Sequence, residues 1–159
     1  MSNGFIFHES EDIVCIATGN SSNRKTGDEV QTWILYKHEP PNIAIDTGKD
    51  SIICGDCKHR GIVLSLDDAT IYSDMLTTPK KKALLKRIED KRAKGLNSIN
   101  IDRDCYVLVF QAPLAVYKCW KRGGYPTLTP KQAQKRLAYK VVRLGSYGDP
   151  VHVPLEVWN

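Results

Sequence analysis

The sequence predicts an α/β fold: a mixed or partly parallel sheet with flanking helices, at its fullest a partial (β/α) barrel. Three observations carry this. Short runs of β-branched and aromatic residues recur along the chain, as in Ile13-Val-Cys-Ile-Ala17 and Val30-Gln-Thr-Trp-Ile-Leu-Tyr36. Segments rich in Lys, Leu, Gln and Ala open on Thr-Pro pairs, and glycine closes the first of them. The C-terminal half runs strand, helix, helix, strand, loop, helix, the order of a βα unit leading to a parallel strand.

The elements follow in chain order. Phe5 to Ala17 holds two apolar stretches split by the acidic turn Glu9-Ser-Glu-Asp12 and reads as one or two strands. Thr18 to Gly27 is a polar loop, and Val30–Tyr36 is the next strand. His38 to Asp50, with Pro40-Pro41, reads as connection, and Gly61–Leu66 as a strand. Thr78-Pro79 opens a helix that Gly95 ends, with Leu84, Leu85 and Ile88 as a narrow apolar stripe. Cys105-Tyr-Val-Leu-Val-Phe110 reads as a strand, Pro113–Lys121 as a helix stopped by Gly123-Gly124, and Thr129–Ala138 as a capped helix. Lys140–Leu144 is then a strand, Gly145–Pro150 a loop at its carboxyl end, and Val153–Trp158 a helical start.

The 159 residues fit one domain, 1–159, with a basic helical insertion at about 79–95. Hydrophobic residues make up 42% and charged residues 26%, a globular balance that excludes a disordered chain. No apolar run approaches the roughly 18 residues that span a bilayer. The N-terminus lacks the basic and apolar regions of a signal peptide, so a cytoplasmic location is expected. The net charge is +5, yet residues 79–94 hold eight basic and two acidic residues, a net of +6. The remainder sits at −1, so the basic character belongs to one segment.

Five cysteines, an odd count, argue against a disulfide framework in a reducing compartment and favour free thiols plus a metal or catalytic site. Cys54-Gly-Asp-Cys57 is the leading feature. Two cysteines two residues apart can face one ion, and Gly55 eases the turn. Zinc needs four ligands and an iron–sulfur cluster three or four thiolates. Cys105, opening a strand after a polar run, is the preferred third ligand. Cys119, His59 and His38 are further candidates, although Cys119 sits in the apolar sequence Val116-Tyr-Lys-Cys-Trp120 and reads equally as a buried thiol. Cys15, mid-strand, belongs to the core. No second CxxC answers the first, so a zinc finger is excluded. The pair does not open a helix after a strand as a thioredoxin-like dithiol does.

Thr18-Gly-Asn-Ser, Cys54-Gly-Asp-Cys57-Lys-His-Arg60, Cys105-Tyr-Val, the stretch Gln111-Ala-Pro-Leu-Ala-Val-Tyr to Gly124-Tyr125, and Arg143-Leu-Gly-Ser-Tyr-Gly-Asp-Pro150 occur in that order. In these blocks the chain resembles a family of uncharacterised phage and plasmid proteins. The resemblance implies a mobile-element origin and a cysteine-ligated centre, and no particular activity. Relatives continue well beyond the Gly-Asp-Pro loop, whereas this chain ends at Asn159, and residues 79–94 read as an insertion between the cysteine pair and Cys105. More distantly, a cysteine cluster, a βα unit and a Gly-Asp-Pro loop after a strand are similar to the opening of radical S-adenosylmethionine enzymes. The CxxxCxxC spacing is absent and the chain is too short for the full barrel, so this likeness is analogy.

Ligands of open parallel sheets gather at the carboxyl ends of strands, which makes Gly145, Gly148 and Asp149 ligand-binding candidates, with His152 beside them. An Asp-Pro turn alone is the plainer account of Asp149. Arg24 and Lys25, in a polar loop, suit a phosphate or nucleic-acid backbone, as do Lys80, Lys81, Lys82, Lys86 and Arg87 on the basic helix. A solvated loop and a solvated helix face explain both equally simply. Two functions follow: a metal-centre protein whose cofactor is an iron–sulfur cluster or zinc, or a module binding nucleic acid or a host protein, its metal purely structural. No catalytic constellation and no substrate can be read from the residues.

Overall fold

The computed structural model describes residues 4–19 and 28–158. Arg24 and Lys25 lie outside them. The architecture is mixed α/β with no closed barrel, as the patterning predicts. The main sheet has the order β1-β2-β3-β6, formed by β1 (Gly4–Glu9), β2 (Ile13–Thr18), β3 (Val30–Tyr36) and β6 (Val142–Tyr147). The first three run antiparallel, whereas β6 lies parallel to β3. Val14, Cys15, Ile16, Ile34 and Leu35 are fully buried at its centre, which is why these runs read so clearly as strands. Among the described residues no helix is long and apolar enough to cross a membrane.

Several expectations are corrected. The connection from His38 to Asp50 holds a helix, α1 (Pro41–Thr47), and a single turn, α2 (Ser51–Cys54), follows. Pro41 occupies the first turn of α1, where proline costs no hydrogen bond. Residues 105–110 form no strand. The strand is β5 (Ser98–Ile101), in the polar run before Cys105. Residues 105–110 do alternate in burial, but Tyr106, Leu108 and Phe110 point to solvent and no strand pairs with them. Gly145–Tyr147 belong to β6 and not to a loop, and the terminal helix is only a 3-10 turn at Leu155–Val157.

The basic segment is the fourth helix, α4 (Thr78–Ala93), of a β-α-α-β unit made by β4 (Ile62–Ser65), α3 (Leu66–Ser73), α4 and β5. This unit has its own small core of Leu66, Ala69, Leu84, Ile88, Ile99 and Ile101. Leu84 and Ile88, four residues apart, are the buried stripe of α4. The unit joins the rest through Asp46 of α1, which is buried. Its carboxylate accepts from the Lys91 ammonium and the Asn100 backbone N–H, and its carbonyl from the Ser98 hydroxyl. Helices α5 (Ala112–Lys121) and α6 (Pro130–Leu137) complete the chain. A full capping box at Thr129 and Gln132 starts α6.

Candidate functional site

The cysteine turn is built from local chain chemistry. Helix α1 ends at Gly48 in the left-handed conformation, and α2 ends at Cys54. Gly55 (φ 54°, ψ −140°) turns the chain, and the Cys57 N–H returns to the Cys54 carbonyl at 3.3 Å. A 3-10 turn, Lys58–Arg60, and Gly61 then lead into β4. Strand β4 pairs antiparallel with β5, with Ile62 opposite Ile101. The β-α-α-β unit therefore closes on itself. The residues before Ile62 meet those after Ile101, although nearly forty residues lie between.

Three ion pairs fasten this meeting point. The Asp50 carboxylate, fully buried, accepts from Arg60 at 2.7 Å on one oxygen and from Arg103 at 3.3 Å on the other. The same Arg60 guanidinium donates to the carbonyls of Gly55 (2.7 Å) and Gly48 (3.2 Å), holding the cysteine turn against the end of α1. Beside it His59 pairs with Asp104 at 2.9 Å, adjacent in the chain to Cys105. The His59–Asp104 pair is exposed and contributes little stability. The buried cluster fixes position, since taking a carboxylate and two guanidiniums from water is costly unless geometry repays it.

Cys54 and Cys105 come together here. Burial pushes the Cys54 thiol up to about 12; Asp50 and Cys105 add to the rise, and Arg103 and Arg60 oppose it. Cys54 is thus a neutral thiol near pH 7 and is not an activated nucleophile. Cys57 is exposed. Among the described residues no group of three or more His, Cys, Asp or Glu side chains is arranged to hold a metal ion.

The Gly145–Pro150 segment reaches the same place. The Asp149 N–H donates to the carbonyl of Ile53 at 2.6 Å, one residue before Cys54. The His152 ring lies against Gly55, so close that a Cβ there would stand 2.8 Å from Nε2. Both glycines have packing roles. A Cβ on Gly148 would overlap Ile34 at 2.7 Å, and one on Gly145 would meet the Gly148 carbonyl at 2.7 Å. The Asp149 carboxylate caps the Val151 N–H at 3.0 Å, so the plain turn accounts for its side chain.

Upstream, β6 carries a bulge: Gln31 pairs with Arg143 but Trp33 with Tyr147. The buried Thr32 hydroxyl spans it, donating to the Arg143 carbonyl at 3.0 Å and accepting from the Gly145 N–H at 2.9 Å. The bulge re-aims Tyr147. Its ring is 2% exposed, and its electrostatic neighbours are Cys54, Asp50, Arg103 and Cys105.

The other candidates lie elsewhere. Cys119, on α5, packs against Gly124 and is hydrogen-bonded by Tyr125. His38 pairs with Asp12 of the β1–β2 turn at 3.3 Å. Cys15 is a core thiol, its ionisation suppressed by burial. A cavity of about 480 Å³ opens between β6 and α6, with Phe7, Leu137, Val142, Leu144 and Trp158 in its walls. None of the residues around it belongs to the cysteine site. On α4, Lys81 is tied to Asp74, and Arg87 to the Asn100 carbonyl, while Lys80, Lys82 and Lys86 are exposed without a partner.

Asp50, Arg103 and Tyr147 are the site residues that the sequence reading missed. Asp50 sits in a polar stretch that resembles surface. Arg60, three residues beyond the CxxC, is a signal from which a buried counter-charge could have been sought.

No family model, curated protein or solved structure matches this chain.

Proposed function

We propose that Cys54, Cys57 and Cys105 hold a metal centre, zinc or an iron–sulfur cluster, in a phage-encoded cytoplasmic protein. The observation that carries the reading is the Asp50–Arg60–Arg103 clamp, which binds the cysteine turn to the segment bearing Cys105. Three thiolates around a divalent ion leave a net negative charge, and the two guanidiniums beside Cys54 suit it. The donors are near one another and not yet gathered into a cage. Cys57, exposed on its turn, is the donor that must swing inward as the metal binds, and metal sites are often completed in this way. When bound, the metal supplies cross-linking of the two segments and an open coordination position. The chain's own residues orient the sulfurs and exclude water from Cys54.

The test is a Co²⁺ titration of the full chain and of single Ser variants. Cys54→Ser, Cys57→Ser and Cys105→Ser should each abolish the thiolate-to-cobalt charge-transfer band. Cys15→Ser and Cys119→Ser should keep it. A band that survives Cys105→Ser refutes the assignment.

A second reading rests on the unpartnered Lys82 and Lys86, one turn apart on one face of α4, with Lys80 exposed at the helix start. If that face lies along duplex DNA, replacing all three with Ala should lower the salt slope of binding by about 3. An unchanged slope rules the face out.

A further inference from the structure

Outside the basic helix the charge is nearly balanced, but the two signs are not mixed. No acidic residue stands between Asp104 and Asp149, whereas eight basic residues do. All eight are exposed, and none forms an ion pair with another described residue. Elsewhere Lys37, Arg60, Lys81, Lys91, Arg92 and Arg103 are each paired with a carboxylate. Five of the eight, Lys131, Lys135, Arg136, Lys140 and Arg143, fall on α6, on β6 and on the short link between them. Leu137 and Ala138 line the same cavity as Val142 and Leu144, so helix and strand share one region of the surface. Glu156 is the one acidic residue in that cavity wall, and it pairs with none of the five. Arg136 is held over the Phe5 ring at 5.4 Å from its centroid, which fixes that guanidinium at the surface. Unpaired like charges at this density repel one another and do nothing for the fold; they suit an extended polyanion.

Tyr139 stands among these cations. It is 107% exposed, so its ring packs against nothing else in the fold. Its backbone is left-handed (φ 62°), a conformation that disfavours a bulky residue and that Gly or Asn fills more readily. The Lys140 N–H, bonded to the Leu137 carbonyl at 3.0 Å, closes the turn that carries the ring. A large aromatic side chain on a strained turn, wholly in solvent and flanked by Lys135 and Lys140, has no packing role. We infer that the α6–β6 surface binds single-stranded nucleic acid, with Tyr139 stacking on an unpaired base while Lys131, Lys135, Arg136, Lys140 and Arg143 neutralise backbone phosphates. The cations alone suit any polyanion, and the ring decides among them. An unpaired base offers it a π-face. Duplex bases are already stacked on one another, and an acidic peptide has no such face. This surface is separate from the cysteine site and from α4, and it stands or falls independently of both.

Fluorescence anisotropy of the full chain with a labelled oligothymidylate of about 20 nucleotides, longer than the site of a single small module, tests the inference. The same sequence as a duplex and polyglutamate, a polyanion without bases, are the comparison ligands. Tyr139→Asn removes the ring while suiting the left-handed backbone, so the melting temperature should stay or rise. It should weaken oligothymidylate binding about 5–100-fold, the loss of one stacked base. Tyr139→Phe should bind as the wild type does. Replacing Lys135, Lys140 and Arg143 with Ala should lower the salt slope for the single strand by about 2. Replacing Lys80, Lys82 and Lys86 should leave that slope unchanged. No binding of oligothymidylate at low salt overturns the inference, as does an affinity unmoved in Tyr139→Asn. If the duplex or polyglutamate binds as tightly as the single strand, the surface serves another polyanion and the inference falls.

Discussion

Asp50→Ala should destabilise the protein by about 3–5 kcal/mol, the usual cost of removing one partner from a buried charge cluster. The substitution leaves two guanidiniums with side chains only 18% and 13% exposed and nothing to neutralise them. Arg60 keeps its bonds to Gly55 and Gly48, but Arg103 loses its acceptor, and the segment carrying Cys105 is released. For a chain of this length the loss corresponds to a fall in melting temperature of roughly 6–20 °C. Urea denaturation monitored by circular dichroism measures it. A loss below about 1 kcal/mol would show that the guanidiniums find water freely. A companion variant separates stability from placement. Replacing Asp50, Arg60 and Arg103 together by apolar residues of similar volume should recover much of the stability, because such clusters are rarely net stabilising. It should not recover Co²⁺ binding, because the clamp is gone.

Gly61→Ala should be the most damaging glycine substitution among the described residues, at about 2–6 kcal/mol. Two costs combine. Gly61 adopts φ 77° and ψ −169°, a region closed to residues with a Cβ at about 1–3 kcal/mol. A Cβ there would also stand 2.3 Å from the Ile101 carbonyl oxygen and 2.7 Å from the Arg103 N–H nitrogen, and overpacking against backbone costs about 1–3 kcal/mol more. The backbone of residues 101–103 must retreat, carrying Cys105 away from the cysteine turn, so Co²⁺ affinity should fall with stability. Gly95→Ala is the control. Gly95 also has positive φ (72°), but open space surrounds it, so only the strain of about 1–2 kcal/mol applies. Equal losses in the two variants would mean that contact with Ile101 and Arg103 does not matter.

Much of this fold is legible in the residues because the signals are local. The runs 13–18 and 30–36 are apolar on both sides and are buried on both sides. Thr129 and Gln132 write their capping box into four residues. Strand β5 is obscure because its signal is only two inward isoleucines, Ile99 and Ile101, within a polar run. The louder pattern at 105–110 belongs to a segment with no partner strand. Helix α1 is obscure because Pro40-Pro41 reads as a break, and its cap makes no side-chain bond.

The site divides the same way. The Gly-Asp-Pro loop lies near the cysteine turn with β6 parallel to β3, whereas the element order takes the parallel strand from a β-strand at 105–110 that does not form. The closure of β4 on β5 is what brings Cys105 near Cys54, and it depends on a register that no single segment reveals. Burial of Asp50 is a tertiary outcome of the same closure.

The proposed centre requires the sulfurs of Cys54, Cys57 and Cys105 to share one metal. Elemental analysis of the full chain purified without oxygen tests it most directly. Zinc at about one ion per chain, or iron with acid-labile sulfide in equal amount, is expected, with loss of either in Cys105→Ser. Wild-type protein with no stoichiometric zinc or iron, and all five thiols freely titratable after unfolding, would contradict it.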